Sequence, residues 1–469
     1  MADMPSASGA RPDVAAQVAR APGDAVDGGA ALVVGLGIAG AASARALAGR
    51  GWTVIATDDE LAPAAAERAQ ALADLGVSVV ARPDEAELAA LVAAADVVVP
   101  SPGVPFRHPA LAGARRRGTR IWSEFELAAR WAPELPLVAV TGTNGKTTVT
   151  TLIAAMLQAG GRRTAAVGNT DVPLVDVLDG TLDIAVVEAS SFRLEFTETF
   201  APAVAMWLNF APDHLDWHPS LEHYRAAKAK VWSSQGPGDV AIASLDDPVV
   251  AAAAEGLRST VQTFGLATGD WRREGDQLVG PAGTLLPVAE LARALPHDIT
   301  NALAASAAAV AAGADLDAVR AVLRSFRGLP HRLALVGDHG GVRWYDDSKA
   351  TVPAATTTAV TAFESVVLIA GGRNKGLDLG PLASEASRIR HVVAIGESAD
   401  EIVVAFAGRS PVTTASSMDE AVRLAAGAAE DGDVVLLSPG CASFDWYSGY
   451  GERGDDFARA VTELLRGES

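Results

Sequence analysis

The sequence predicts an α/β protein of three domains. Short β-branched runs alternate with longer Ala/Leu-rich stretches of helical length, the pattern that βαβ units and parallel sheets leave in a chain. The runs fall into three groups, separated by two Pro-bearing joints at 131–136 (WAPELP) and 325–332 (SFRGLPHR). At about 150 residues per domain, 469 residues also suffice for three. The expected layout is a flexible tail over 1–29 and domains over 30–132, 133–328 and 329–469.

Composition narrows the function. With 49% hydrophobic and 20% charged residues the chain can bury large cores, so it is globular rather than disordered. Its 38 basic against 57 acidic side chains leave a net charge of −19, which argues against nucleic acid or an anionic membrane as a partner. Any anionic ligand must be held by local features. Cys441 is the single cysteine, which excludes an intrachain disulfide and a Cys-based zinc site and fits a reducing compartment, so a cytoplasmic location is expected. No stretch approaches the roughly 18 apolar residues of a membrane span. The Ala-rich segment 302–312 reads as a buried helix, and the first 30 residues lack the apolar core of a signal peptide.

The first group of strands is expected at 31–34, 53–56 and 95–99. Between the first two lies 35-GLGIAG-40, a full G-x-G-x-x-G turn, with Asp58 and Asp59 at the end of the next strand. Alone it would support NAD, but any diphosphate nucleotide can use the same turn and helix dipole. The second group is expected at 137–141, 184–188 and 204–208. The run 137-LVAVTGTNGKTTVTTLIAAML-157 is a strand, a Gly-rich turn and a helix opening on Lys146 and Thr147. In such a cradle the N–H groups from Thr143 to Lys146 face phosphate oxygens, the lysine reaches the β/γ-phosphates and the threonine hydroxyl suits Mg²⁺. The strict G-x-x-x-x-G-K-[ST] pattern is missed, since Val140 stands five before Gly145.

Glu188 ends the strand 184–188, where a carboxylate suits Mg²⁺. Asn169, in a polar loop, can bond substrate or merely form a turn. The loop 209–220 holds Asp213, His214, Asp216 and His218 before a helix carrying His223, Tyr224 and Lys228. It admits a second metal, a zinc site or a solvated His-rich loop, and Lys228 and Lys230 by themselves read as surface charges. The third group of strands is expected at 366–370, 392–395 and 433–438. Around it Arg332, Asp347, Lys349, Arg373 and Lys375 sit in Gly- and Ser/Thr-bearing turns, local cations suited to an anionic substrate.

Taken together, TGTNGKTT (141–148), VEASSF (187–192), NFAPDHLDWH (209–218), HDITNALAA (297–305), GLPHR (328–332), DDSKAT (346–351), GGRNKG (371–376) and LLSPGCASFDWY (436–447) occur in the order seen in the Mur ligases. The chain resembles that family from about residue 31 to 469. SPGVPFRHPAL (101–111), the segment 436–457 and the absence of an Asp-Asn-Pro-Arg motif favour its D-glutamate-adding branch. The resemblance implies an N-terminal Rossmann-like domain for a UDP-sugar, a central P-loop ATPase with a mostly parallel sheet and a C-terminal Rossmann-like domain for the amino acid. It implies an ATP-dependent acid–amino-acid ligase of cytoplasmic peptidoglycan precursor synthesis, monomeric, with UDP-N-acetylmuramoyl-L-alanine, D-glutamate and ATP as substrates. The substrate carboxylate would take the γ-phosphate, and the amine would displace phosphate from the acyl phosphate. No protein nucleophile is needed.

Carried over residue by residue, the resemblance assigns Gly142, Thr143, Asn144, Gly145, Lys146, Thr147, Thr148, Asn301, Arg332 and Asp347 to ATP. Two Mg²⁺ would be held by Thr147, Glu188, His214 and a carbamylated Lys228, with Lys349 at the reaction centre. Gly37, Ile38, Ala39, Asp58, Asp59, Ser101, Gly103 and Asn169 would bind the UDP-sugar; Thr351, Lys375, Ser443, Phe444 and Tyr450, with His214, the D-glutamate. Asp298 stands where the family commonly has Asn. Other readings at this point are another Mur-type or folylpolyglutamate-type ligase, an NAD-dependent oxidoreductase and a non-enzymatic nucleotide switch.

Overall fold

The computed structural model describes residues 28–60 and 62–467, so most of the expected N-terminal tail lies outside the described residues. The chain forms two compact units, one covering residues up to 290 together with 300–324, the other 291–299 and 325 onward.

The first unit holds two sheets. In the first, β1 (Ala30–Val34), β2 (Thr53–Asp58), β3 (Ser78–Ala81), β4 (Val97–Pro100) and β5 (Arg120–Ile121) are all parallel in the order β3-β2-β1-β4-β5. The strand order reverses between β1 and β4, which is where doubly wound sheets open a ligand crevice. Ala31 and Val33 enter one core and Leu32 and Val34 another, as the two-residue period of a strand buried on both faces requires.

The second sheet has nine strands: β6 (Leu137–Thr141), β7 (Thr164–Gly168), β8 (Ile184–Glu188), β9 (Val204–Trp207), β10 (Val240–Ser244), β11 (Thr260–Gly265), β12 (Trp271–Glu274), β13 (Gln277–Gly280) and β14 (Gly283–Pro287). β6 lies between β8 and β9, all three parallel, and the far edge β12-β13-β14 is antiparallel. β6 and β8 are buried along their whole length, which explains their uninterrupted apolar sequence. The two sheets are joined by polar and aromatic contacts: Glu126 accepts from the Glu198 and Thr199 N–H groups at 2.7 and 2.8 Å, and the Trp217 indole donates to the Val104 carbonyl at 2.7 Å. The Ala-rich segment is helical within Pro296–Ala311, with Ala302 to Ala309 buried.

The second unit carries β15 (Ala334–His339), β16 (Val342–Asp346), β17 (Val366–Gly371), β18 (Ile389–Ile395), β19 (Val412–Ala415) and β20 (Val434–Gly440), in the order β15-β16-β20-β17-β18-β19. Only the β15-β16 pair is antiparallel. Val366 and Leu368 face one core, Val367 and Ile369 the other. Among the described residues no helix is long and apolar enough to cross a membrane.

Candidate functional site

At the switch point of the first sheet, Gly37 caps the helix Ile38–Ala48, and a Cβ on Gly40 would stand 2.0 Å from the Gly35 carbonyl. Only glycine lets the helix approach the strand this closely. Ser101, following β4, is the next neighbour: a Cβ on Gly37 would lie 2.7 Å from its hydroxyl. Gly37, Ile38, Ala39, Ser101 and Gly103 are thus gathered by the ends of two adjacent strands. Asp58 bonds the backbone on either side of it. Its Oδ2 accepts from the Leu36 N–H at 2.6 Å and its Oδ1 from Glu60 at 3.0 Å, so it shapes the glycine turn, while exposed Asp59 meets His108 at 3.0 Å.

The phosphate loop follows β6. Gly145 takes the left-handed conformation, φ +85°, and starts the helix Lys146–Ala159; a Cβ there would reach the Asn301 carboxamide at 3.0 Å. Asn301 thereby lies against the loop. The Thr143 and Asn144 N–H groups, expected to face phosphate, both donate to the Asn209 carboxamide oxygen, at 3.0 and 2.9 Å. Asn209 was not singled out in the sequence, although its place directly after β9, beside β6, is where such a partner must stand.

Lys146 folds back onto its own loop, Nζ donating to the carbonyls of Gly142 at 2.8 Å and Thr143 at 2.9 Å. Lys228 reaches the same loop from the helix Leu221–Ser233, which Ser220 caps by accepting from the His223 N–H. On that helix Tyr224 and Lys228 share a face at i, i+4 and both are buried. The Tyr224 hydroxyl meets Thr143 Oγ1 at 3.3 Å, and Lys228 Nζ donates to Gly142 O at 2.6 Å. Lys228 is 1% exposed, which overturns its reading as a surface charge. Burial, reinforced by the Lys146 charge, pulls its amine well below the ordinary lysine range. Lys230, half-buried, bonds the Glu195 carbonyl.

Glu188 ends β8 in register with Val140 and Gly168, beside the phosphate loop. Its Oε1 accepts from Asn169 at 2.9 Å; its Oε2 is buried with no hydrogen-bond partner. Asn169 Oδ1 in turn accepts from Arg193 at 2.9 Å, and Arg193 Nε stands 2.9 Å from Glu124, so four side chains form one line in which Glu188, Arg193 and Glu124 are buried and Asn169 is exposed. Burial lifts the Glu124 carboxyl to about 7 against the pull of Arg193. Glu124 and Arg193 also line a small cleft with Ala39, Ser43, Ser101 and Trp217, reaching the glycine turn of the first sheet. Neither is singled out by the sequence analysis; the signal is a charge set among apolar neighbours, Arg193 in SSFRLEF (190–196) and Glu124 in IWSEF (121–125).

His214 has a left-handed backbone, φ +53°, and packs edge-on against Phe192 and Tyr224. Burial lowers its pKa, Asp213 opposing and Lys146 and Lys228 adding to the effect, which places these groups within electrostatic reach of one another. The solvated-loop reading fails for His218. It is buried, with Nε2 at 2.9 Å from the Ser191 hydroxyl and Nδ1 at 2.9 Å from His223, and burial with the neighbouring imidazoles pushes it to about 3. Both ring nitrogens are therefore committed to protein partners. Among the described residues no group of three or more His, Cys, Asp or Glu converges on a metal position.

In the second unit Asp347 is buried. Its Oδ2 accepts from Ser438 at 2.8 Å and its Oδ1 from the Leu333 N–H at 3.2 Å, and burial raises it to about 7. The Lys349 ammonium stacks on the Tyr450 ring at 3.8 Å. Ser443 is buried, while Phe444, Tyr450 and Lys375 are exposed. Arg373, expected among the cations for an anionic substrate, is instead bidentate to Glu397 at 3.0 and 2.8 Å. Asp298 accepts from Arg293 and from the Leu295 N–H, both at 3.2 Å, a local structural use of the residue that replaces Asn.

Three family descriptions match the chain: Mur ligase MurD-like, N-terminal domain, over residues 29–123; Mur ligase middle domain over 140–309; and Mur ligase, glutamate ligase domain over 331–441. A UDP-N-acetylmuramoylalanine--D-glutamate ligase of Frankia casuarinae is 45% identical over 92% of this chain and 93% of its own length. The protein of the same name from Geobacter metallireducens is 41% identical over 93% and 98%. Among solved structures, a UDP-N-acetylmuramate-alanine ligase of Thermotoga maritima superposes with TM-score 0.55 at 20% identity, covering 93% of this chain and 99% of that one. A pseudomurein peptide ligase type C of Methanothermus fervidus gives 0.58 at 16%, covering 93% and 100%; these two share the fold.

Proposed function

The chain belongs to the Mur ligase family, and on that footing we propose that it joins D-glutamate to UDP-N-acetylmuramoyl-L-alanine at the expense of ATP, in peptidoglycan precursor synthesis in the cytoplasm. The observation that carries the chemistry is the convergence of Lys146 and Lys228 on the Gly142 carbonyl of a Gly-rich loop.

The glycine turn and Ser101 bind the UDP-sugar at the switch point of the first sheet, and the cleft lined by Ser101 and Arg193 leads its acyl arm toward Asn169. ATP lies on the loop 142–148 with Asn301 beside it; on binding, Lys146 exchanges its carbonyl partners for phosphate oxygens. Arg332, Asp347 and Lys349 serve ATP and the reaction centre from the second unit. Thr351, Lys375, Ser443, Phe444 and Tyr450, together with His214, take the amino acid. The substrate carboxylate attacks the γ-phosphorus, ADP leaves, and the D-glutamate amine adds to the acyl carbon and expels phosphate. Positive charge and positioning are what this requires of the protein.

The donors present suit Mg²⁺. A buried carboxylate oxygen of Glu188 lacks a partner, and Thr147, His214 and Lys228 stand around the same loop. Mg²⁺ takes one or two protein carboxylates and completes its shell with phosphate oxygens and water, so no three-carboxylate cage is needed. When bound it neutralises charge on the transferring phosphoryl group. Burial and the Lys146 charge disfavour the ammonium form of Lys228; its neutral amine would add CO₂ with loss of one N–H proton, and the carbamate would supply a second anionic ligand.

The test is phosphate release from ATP with UDP-N-acetylmuramoyl-L-alanine, comparing D-glutamate with L-glutamate, D-alanine, L-lysine and no amino acid. Release that requires both the nucleotide-sugar and D-glutamate is expected. Release with another amino acid reassigns the acceptor, and ATP binding without amino-acid-dependent release refutes the ligase reading.

A further inference from the structure

Four segments of the second unit carry the residues assigned to the acceptor: 346–351 with Lys349 and Thr351, 371–376 with Lys375, 440–444 with Ser443 and Phe444, and the start of the helix Tyr450–Gly467. The Arg453 side chain, on the first turn of that helix and 1% exposed, lies where all four meet. Its Nε donates to Ser348 Oγ at 2.9 Å, its Nη2 to the Ser348 carbonyl at 2.8 Å and its Nη1 to the Cys441 carbonyl at 3.1 Å. Ser348 passes the contact on, its hydroxyl donating to the Tyr450 carbonyl at 2.8 Å. A Cβ on Gly372 would lie 3.1 Å from Arg453 Nη1 and 2.2 Å from the Ala442 carbonyl, so the glycine turn is pressed onto the guanidinium. That turn is tied to the third segment by two bonds between Arg373 and Ala442, at 2.8 and 3.0 Å.

All three of those Arg453 bonds go to neutral oxygens. A buried guanidinium is costly to desolvate; the carbonyls and hydroxyl satisfy its N–H groups, and the Asp445 and Asp346 carboxylates lie within electrostatic reach and offset part of its charge. The planar fork reaches two segments at once, which the point charge of a lysine does not.

We propose that Arg453 is a positioning residue for the acceptor site: it locks the 346–351, 371–376 and 440–444 segments onto its helix and so fixes the geometry in which they meet the incoming amino acid. This rests on the ligase reading above. Arg453 acts through Ser348 and Cys441 and is not itself assigned a substrate contact.

The experiment measures KM for D-glutamate, ATP and UDP-N-acetylmuramoyl-L-alanine in the wild-type protein, Arg453→Lys and Ser348→Ala, with thermal stability recorded for each. Arg453→Lys is expected to raise KM for D-glutamate roughly tenfold or more and to leave KM for the nucleotide-sugar within about twofold, a split that general loosening of the fold would not produce. Ser348→Ala keeps the charge and deletes one acceptor; a smaller rise, about threefold, is expected. Should Arg453→Lys fail to fold, Ser348→Ala decides. Unchanged KM for D-glutamate in the folded variants, or a parallel rise in all three KM values, overturns the proposal. A wild-type protein without D-glutamate dependence overturns the ligase reading itself, which the wild-type arm reports separately.

Discussion

Lys146 and Lys228 donate to one carbonyl oxygen, that of Gly142, at 2.8 and 2.6 Å. An oxygen with two lone pairs can accept both, but two ammonium groups held so close repel, and burial together with that repulsion disfavours the charged form of Lys228. Carbamylation of Lys228 would replace that repulsion with attraction. Labelled bicarbonate should therefore give a carbamate carbonyl resonance in the NMR spectrum that Lys228→Ala lacks. The variant should lose activity by on the order of 10²-fold, with partial recovery in formate or acetate. Full activity in Lys228→Ala would remove the residue from the mechanism.

Lys146→Ala separates ATP chemistry from donor binding. Phosphate release should fall by on the order of 10³-fold, because the charge that meets the transferring phosphoryl group is gone. Calorimetric affinity for the nucleotide-sugar should change by less than about twofold, since that ligand is assigned to the first sheet. Near-normal turnover would show that the loop is not the phosphate site.

The Glu124–Arg193 pair predicts a pH-dependent cost. With Arg193→Met, Glu124 keeps its buried place without its cation and must protonate or be destabilised by about 3 kcal/mol. Its carboxyl already sits at about 7, so at about pH 6 it is mostly protonated and the variant should lose little. At about pH 8 the loss should approach the full figure, and adding Glu124→Gln should restore most of it. Denaturant unfolding at the two pH values checks this; a cost that is equal at both refutes it.

Asp347 gives a second titration with a definite sign. Burial raises its carboxyl from 3.8 to about 7, so the fold favours the protonated form. Its contribution to stability is complete below pH 3.8 and is lost as the pH rises through about 7. Asp347→Asn has no proton to lose at this position. The stability of wild type relative to the variant should therefore decline between about pH 4 and pH 7 and level off above it. A difference that stays constant over that range would show that Asp347 does not titrate there.

Much of this was legible in the chain because it is local. Glycine turns announce themselves through backbone conformation: GLGIAG and TGTNGK both follow apolar runs that form strands, and both open helices. Glu188 could be placed at a strand end because IAVVE has the unbroken apolar character of a strand buried on both faces. Other residues were readable in type but not in use. Asp58 follows the strand as a ribose-binding acid would, and its oxygens bond the Leu36 and Glu60 amides. Arg373 sits in a Gly-rich turn like a substrate cation, yet Glu397 holds it.

The sequence by itself determined the α/β class, the three groups of strands, the phosphate loop and the apolar faces, since each follows from turn chemistry and a two-residue or 3.6-residue period over a few positions. Only the tertiary structure decided which charges are buried and what they touch. Lys228 loses the character of a surface lysine through contact with Gly142, 86 residues away, and Arg453 gathers the acceptor segments through Ser348, 105 residues away. Desolvation and hydrogen bonding depend on what surrounds a group in space, and at those separations no local pattern encodes it.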